Sequence, residues 1–334
     1  MHQKYEIKNT SKAKGIIMRQ ASRTSVRSAA VALAALAFTA RTSQASLVIY
    51  DGFNYGASDT AASGLSGGGD TGLSGTWVNQ VAGGTAGYKS AGLSFSNLAV
   101  TGGAFDLAAD ASTVATSSRQ HSAGFTGDLW GSYLFKPVSQ ASVFSAGGLM
   151  NVTTANATDS SQLFMASGSE YAMSYKGAVR AYNRQLGTAA SGSTAIPLNE
   201  TDIVLFHVSN LGPSPLGAIA ITEWILTAAQ FDYFKANTLD EASLNAATVA
   251  ASGVNTIRGK SSVSSSTNNV TFKAGEYLSV EYFGLHFQLD EVRISNATTA
   301  ATGLAEVTPI PEPASLGLLA LGGTLMISGG RRKR

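Results

Sequence analysis

Acidic side chains are the residues of this chain whose chemistry could serve catalysis, and their spacing argues against it. Asp290 and Glu291 are adjacent, and adjacent residues of a β-strand point to opposite faces of the sheet. They therefore do not form the facing pair of carboxyl groups that glycoside hydrolysis requires. We interpret both as structural, at a salt-bridged end of a sheet where Arg293 can pair with Glu291. In such a strand Leu289, Glu291 and Arg293 would share one face, and Asp290, Val292 and Ile294 the other.

Other reactive residues also lack the spacing of known sites. His121, His207 and His286 are isolated, and no His-x-His or His-x-x-x-His pair occurs, which argues against a zinc site. No Gly-x-Ser-x-Gly elbow occurs, and the glycines before Asp70 lack the lysine of a phosphate loop. The chain contains no cysteine, which excludes disulfides, thiolate catalysis and cysteine metal ligands. We predict that the protein is not an enzyme.

Two kinds of binding remain open at this stage. Carboxylate oxygens are ligands that calcium prefers, but no spacing singles out any of the candidates Asp51, Asp59, Asp70 and Asp128. We therefore predict no cofactor, leave a calcium site open and assign no metal ligands. Exposed aromatic rings can stack on sugars; Trp77, Tyr88, Trp130 and Tyr182 are candidates, with core or turn packing as the favoured interpretation.

Short strands must position these residues. Alternating, β-branched and aromatic stretches between Gly, Ser and Asn clusters indicate strands at residues 47–50, 93–100, 104–107, 129–136, 143–152, 162–166, 171–175, 178–183, 203–208, 218–224, 276–287 and 289–294. Pro137 should end the strand before it. One helix is predicted at 227–236, with Thr227 as its N-cap and Phe231 and Phe234 facing inward. Residues 57–75 and 261–269 are predicted to be long loops.

The two ends of the chain carry most of its positive charge. Eight of the 23 lysines and arginines lie in residues 1–45 and four in 331–334, which leaves 11 cations and 19 acids in 46–310, a net charge of about −8. An acidic body argues against nucleic acid as a partner.

The amino-terminal end has the pattern of a secretory signal peptide. Arginines precede an apolar run at residues 29–40, and a small-x-small site places cleavage between Ala45 and Ser46. Residues 1–45 are thus a signal peptide with a polar prefix, and Met18 is an alternative start. Signal peptidase and the secretion machinery are the partners that this segment requires.

The carboxyl-terminal end has three parts in a specific order. Pro311, Glu312 and Pro313 precede an apolar run at 314–328, at the short limit for a membrane span, and the terminal cations are Arg331, Arg332, Lys333 and Arg334. This arrangement resembles the PEP-CTERM sorting signal of exported bacterial proteins. The resemblance implies an apolar helix in the inner membrane, an exosortase-type processing enzyme, and cleavage near Pro311–Pro313. We expect 309–334 to be the sorting and transmembrane segment and 296–308 a flexible tether.

The body resembles LamG-like, concanavalin A-like domains at its two ends. The opening residues 50–55 (YDGFNY) and the closing residues 289–295 (LDEVRIS) carry this resemblance, with residues 131–136, the strand at Ile203, and Trp224 followed by Phe231 between them. It implies an all-β, two-sheet antiparallel jelly-roll sandwich over 46–295 with adjacent first and last strands, as well as a rim calcium site in many members. Laminarinase-type enzymes of this superfold carry Glu-x-Asp-x-x-Glu, which is absent here.

These features together predict an exported, non-catalytic protein. We expect a membrane-inserted precursor that is then sorted to the cell envelope or the extracellular matrix, where it serves adhesion, structure or the binding of extracellular polysaccharide. The alternative is an extracellular carbohydrate-active enzyme with an atypical site.

Overall fold

Antiparallel strands make up most of the computed structural model, which describes residues 47–309 except 67–69, 81–83, 111–113, 123, 141–145, 153–170, 176–178, 184–197, 212–218, 251–259 and 266–271. The strands are β1 Ile49–Asp51, β2 Thr60–Ala61, β3 Leu73–Gln80, β4 Gly84–Lys89, β5 Ala104–Ala109, β6 Val114–His121, β7 Gly127–Gln140, β8 Ala146–Val152, β9 Tyr171–Tyr175, β10 Val179–Asn183, β11 Asp202–Leu211, β12 Ile219–Leu226, β13 Lys260–Ser265, β14 Tyr277–Phe283 and β15 Leu285–Ser295. The helices are α1 Ala228–Lys235, α2 Glu241–Ala250 and α3 Ala300–Val307.

Two sheets contain most of these strands. The larger has the order β13-β12-β11-β7-β15-β5-β4-β2, with β1 paired to β15, and the smaller has the order β3-β6-β14-β8, while β9 and β10 form a separate hairpin. The predicted adjacency of the first and last strands is confirmed, since Ile49 lies opposite Ile294. The predicted antiparallel two-sheet architecture is therefore confirmed.

The core lies in two layers, on either side of the larger sheet. Between the two sheets, Trp77 of β3 and Val280 of β14 pack with residues of the larger sheet such as Phe105 and Phe206. The other face of the larger sheet, called the outer face below, is covered by the helices and by residues 93–98. Its buried side chains include Trp130, Leu134, Trp224, Phe231, Phe234, Leu304 and Val307.

Helix α1 agrees with the sequence prediction. Thr227 is the N-cap, and its side chain accepts a hydrogen bond from the Gln230 amide while the Gln230 side chain accepts from the Thr227 amide. This reciprocal capping box satisfies two donors that the first turn leaves free. Phe231 and Phe234 are buried as predicted.

Several predicted boundaries are wrong. Residues 93–100 are not a strand: the Leu93 amide donates to the Asp290 side chain at 2.8 Å, and Leu93, Phe95 and Leu98 cover the outer face as a loop. β7 continues through Pro137, because its pairing with β11 already ends at Phe135 and the missing amide proton removes no bond there.

Other errors concern segments that looked polar. Residues 261–265 of the stretch 261–269, which was predicted to be a loop, belong to β13, which pairs with β12. The loop predicted at 57–75 contains β2 and the start of β3. β4, β6 and most of β3 were not predicted, because their Gly, Ser and Thr residues lack a hydrophobic alternation. The tether predicted at 296–308 contains α3, with Leu304 and Val307 buried against the outer face.

Within residues 47–309 as described, no helix is both long and apolar enough to cross a membrane. The predicted strand at 162–166 lies outside the described residues. So do the signal cleavage site at Ala45 and Ser46 and the sorting residues Pro311, Glu312, Pro313, Arg331, Arg332, Lys333 and Arg334.

Candidate functional site

A buried ion cluster occupies the space between the two sheets next to β1. We call it the core ion cluster; its members are Asp51, Tyr55, Asp70, Trp77 and Arg119. The Arg119 Nη1 atom lies 3.4 Å from Asp51 Oδ2, and the side chains of Arg119 and Asp51 are 3% and 2% exposed. The Trp77 indole donates to Asp51 at 3.3 Å and to the Tyr55 hydroxyl at 2.8 Å. Tyr55 also donates to Asp51, and Arg119 pairs with Asp70.

The protonation of Asp51 reflects its burial. Burial raises the pKa of the Asp51 carboxyl to about 6, while hydrogen bonds from Tyr55 and the Phe53 amide and the charge of Arg119 act in the opposite direction. Three donors, from the Phe53 amide, the Tyr55 hydroxyl and the Trp77 indole, together with the buried guanidinium of Arg119 occupy both carboxylate oxygens. Asp51 is therefore a structural residue that holds the opening segment to β6.

A second cluster lies on the outer face of the larger sheet, where β15 pairs with β1. We call it the closing-strand cluster; its members are Tyr50, Thr101, Asp290, Glu291 and Arg293. Arg293 pairs with Glu291, as the sequence predicted. Glu291 also accepts from the Tyr50 hydroxyl at 3.1 Å and from the Thr101 amide. Asp290 accepts a hydrogen bond from the Leu93 amide. These contacts fasten the loop at 90–103 to the last strand.

The predicted alternation of side chains in β15 is wrong at this cluster. Its pairing with β7 shifts register between Asp290 and Arg293, and Glu291 has a φ of 55°. Such a β-bulge places two residues of β15 opposite one residue of β7. The side chains that follow the bulge then point to the opposite face of the sheet from the one that strict alternation predicts. Leu289, Val292 and Ile294 therefore all lie in the core between the sheets, while Asp290 and Arg293 pair with Leu134 and Ser132.

Both acids of this cluster are enclosed. Burial raises the pKa of Asp290 well above its usual range, and the neighbouring charge of Glu291 acts in the same direction. Burial also raises the pKa of Glu291, against the charge of Arg293. Neither carboxyl is exposed to solvent, so the structural interpretation of the Asp290–Glu291 pair holds.

The remaining calcium candidates are far less buried and make other contacts. Asp59 forms an exposed ion pair with Lys89 at 3.1 Å, and Asp128 Oδ2 lies 3.9 Å from His207 Nε2. No group of three or more metal-ligating side chains occurs in the part of the chain that the structure describes. The four aspartates predicted as calcium candidates therefore lie in different ion pairs, and only Asp51 and Asp70 share one, with Arg119.

The aromatic candidates follow the packing interpretation. Trp77 and Tyr88 are buried between the sheets, and Trp130 is buried on the outer face. Trp130 stacks on His207 with ring centroids 3.9 Å apart, and His207 Nδ1 lies 2.7 Å from Glu241.

The fourth aromatic candidate, Tyr182, lies in β10, and its side chain is outside the described residues. His121 is buried against Phe272.

A partly exposed polar row on the outer face is the candidate functional site. We call it the polar strip; its members are Asp106 of β5, Lys136 of β7, and His286 and Gln288 of β15. Gln288 lies opposite both Asp106 and Lys136 in the register of the sheet. Asp106 Oδ1 accepts from Gln288 Nε2 at 3.1 Å and lies 3.0 Å from His286 Nε2. The side chains of Asp106 and His286 are 20% and 32% exposed.

The strip lies just beyond the covered part of the outer face. Two positions away on the same strands, on the side of the helices, are Ala104, Leu134 and Asp290, which are buried under the helices and the loop at 90–103. Among the described residues, the side-chain hydrogen bonds of the strip use Asp106 Oδ1 and Gln288 Nε2, and they leave Asp106 Oδ2, the side-chain oxygen of Gln288 and the amine of Lys136 without a hydrogen bond. The strip therefore offers acceptors and a cation on a sheet face, with the geometry of Asp106 fixed by two neighbours.

Only part of the signal for this strip lies in the local sequence. Asp106 stands between Phe105 and Leu107, and Gln288 between Phe287 and Leu289, which is the alternation of a sheet with one polar face. The pairing of three strands distant in sequence could not be inferred from that pattern.

The fold and this site define an antiparallel β-sandwich with helices on one outer face and a polar strip beside them. No protein-family model matches the chain, and no curated protein matches it. Solved structures with some similarity are the Emp47p carbohydrate recognition domain (7% identity, 66% of this chain, 88% of that chain, TM-score 0.30), a protein of unknown function from Shewanella oneidensis MR-1 (10%, 64%, 81%, 0.30), and the VIP36 exoplasmic/lumenal domain in its Ca2+/Man3GlcNAc-bound form (8%, 67%, 84%, 0.28). Similarity at this level carries no inference about ligand or activity.

Proposed function

We propose that this chain is an exported, non-catalytic protein of the cell envelope or extracellular matrix that binds polysaccharide through the polar strip. The proposal includes the concanavalin A-like jelly-roll class suggested by the residues at 50–55 and 289–295. It also includes sorting of a membrane-inserted precursor by an exosortase-type enzyme, which the PEP-CTERM resemblance of residues 311–334 suggests.

The observation that carries the binding proposal is the contrast between the polar strip and the buried clusters. Asp51, Asp290 and Glu291 are sealed by partners within the fold. Asp106 is held by His286 and Gln288 while its second oxygen stays free within the described chain. A carboxylate, an amide and a lysine arranged on one face can exchange several hydrogen bonds with sugar hydroxyls, and such bonds fix the orientation of a ligand.

A glycan array tests the binding proposal directly. The purified exported protein should bind one or more polysaccharides, and the double substitution Asp106→Ala, Gln288→Ala should lower affinity at least about tenfold, the effect expected when two hydrogen-bonding groups are lost. Asp232→Ala is the control, because Asp232 is an exposed acid of α1 whose side chain contacts Ser96 and no residue of the strip. Binding that the double variant retains in full would place the ligand elsewhere.

A hydrolysis screen on the same polysaccharides separates this function from the alternative. A non-catalytic protein releases no reducing ends from any of them. Turnover would establish the carbohydrate-active enzyme with an atypical site instead.

The sorting proposal is tested by the masses of the two ends of the mature protein. The amino terminus should begin at Ser46, and the carboxyl terminus should end near Pro311–Pro313. A surface protein that still carries residues 316–334 would show that the tail is a permanent anchor.

A further inference from the structure

Helix α3 is part of the folded body, although the sequence suggested a flexible tether there. Leu304 and Val307 are buried on the outer face together with Trp130 and Leu134. Gly303 allows this close approach, because a Cβ at that position would lie 2.4 Å from Trp130 Cδ1. Thr299 caps the helix by accepting from the Thr302 amide at 3.3 Å.

Polar contacts continue the attachment beyond the last helical residue. The Ser132 hydroxyl donates to the Val307 carbonyl at 2.6 Å. The Lys235 amine of α1 donates to the carbonyl and hydroxyl oxygens of Thr308 at 2.9 and 3.0 Å. The Ala99 amide donates to the Pro309 carbonyl at 2.9 Å. Three separate elements thus hold the backbone from Val307 to Pro309.

This attachment ends two residues before the sorting tripeptide. Thr308 is fully buried, and Pro311 follows Pro309 with only Ile310 between them. Peptidases cut chain segments that are exposed or that open transiently, and the rate then depends on the population of the open state. A peptidase that engages several residues on either side of a bond near Pro311 would need residues 307–309, which the fold occupies.

We propose that α3 is a latch, and that its release from the outer face controls cleavage of the chain near Pro311–Pro313. This inference rests on the proposed sorting function and adds its regulation: the folded body limits when the tail can be processed. The latch opens by local unfolding of residues 296–309, a unit whose contacts can be lost while the two sheets remain paired.

Two substitutions loosen the latch by different means in the full-length protein. Leu304→Ala leaves a cavity under α3, and Lys235→Met removes the two hydrogen bonds to Thr308. Each should raise the rate at which a nonspecific protease cuts between residues 296 and 310 in detergent solution, by about tenfold or more for Leu304→Ala. Thr302→Ala is the control, since Thr302 lies on the exposed side of the same helix.

The same variants are then followed in cells that process the tail, by pulse-chase and by the mass of the carboxyl terminus. Faster conversion of the precursor in both loosened variants, with Thr302→Ala at the wild-type rate, supports the latch. The contrary result is a variant that the protease cuts faster but whose precursor is processed in cells at the wild-type rate. That result would overturn control of cleavage by the latch, while the sorting proposal itself would stand. If the protease cuts the wild type and the three variants equally fast, α3 does not protect the chain. That result would overturn the latch independently of how the tail is processed in cells. Far-UV and near-UV circular dichroism confirm that each variant keeps its folded sheets.

Discussion

At the scale of single residues, the chain buries several carboxyl groups, and the consequence is a dependence of stability on pH. Asp51, Glu223, Asp290 and Glu291 all have a pKa raised by burial. A carboxyl group whose pKa is higher in the folded state binds its proton more tightly there than in the unfolded chain. Its stabilising contribution is present below the pKa of the unfolded chain and is lost as the pH rises through the pKa of the folded state.

Asp51 gives the sharpest test of this effect. Its pKa rises from 3.8 to about 6, so the free energy of unfolding should fall by about 3 kcal/mol, at 1.36 kcal/mol per pKa unit, as the pH rises from about 4 to 7. Asp51→Asn should reduce that fall, because the amide does not titrate. Urea denaturation at several pH values measures the slope.

Asp59→Asn serves as the control for this series. Asp59 is exposed, and its hydrogen bonds from Ser90 and Lys89 lower its pKa, so its substitution should not reduce the fall. Equal slopes for the wild type and Asp51→Asn would refute the assignment of this pH dependence to Asp51.

At the scale of elements, the close packing of α3 opposes its intrinsic helix propensity. Glycine inside a helix costs about 1 kcal/mol relative to alanine, so propensity alone predicts that Gly303→Ala stabilises the protein. The added Cβ would lie 2.4 Å from Trp130 Cδ1, and overpacking of this kind costs about 1–3 kcal/mol. We expect Gly303→Ala to lower the Tm by a few degrees.

The exposed position Thr302 provides the comparison for this prediction. Thr302→Ala gains helix propensity and makes no new contact, and it loses only the exposed hydrogen bond between the Thr299 and Thr302 hydroxyls at 2.9 Å, so its Tm should stay close to that of the wild type. A Tm for Gly303→Ala above that of the wild type would mean that α3 can shift away from Trp130 without cost, and that its docking is loose.

At the scale of the whole molecule, the larger sheet carries buried side chains on both faces, and α3 is one of the elements that cover part of the outer face. A chain that ends after Pro309 keeps Leu304, Val307 and the contacts to Ser132 and Lys235. A chain that ends after Ser295 exposes Trp130 and Leu134. We expect the longer form to be folded and monomeric, and the shorter form to bind a hydrophobic dye and to unfold several degrees lower.

This comparison separates a docked helix from a tether. Thermal unfolding and dye fluorescence of the two truncated forms, made with the same amino terminus, provide the measurement. Identical unfolding curves would restore the tether interpretation of residues 296–308.

The sequence alone determined the features that depend on local pattern. Alternating apolar residues identified most strands, and Thr227 with the two phenylalanines that follow identified α1. Arg293 was paired with Glu291 because they are close along the chain. The predictions for the two termini also came from local composition, and they remain predictions because those residues lie outside the described chain.

Only the tertiary structure decided the features that depend on contacts between distant segments. The bulge at Glu291 reversed the facing of β15 because the residue is held by Tyr50 and Thr101, which lie far away in sequence. Leu93 and Leu98 pack as a loop because Asp290 binds the Leu93 amide. The polar strip exists because β5, β7 and β15 are neighbours, and no local pattern specifies the order of strands in a sheet. The docking of α3 also depends on a distant segment. Its few apolar residues do not predict a packed helix by themselves, because the surface that they cover includes Trp130 of β7.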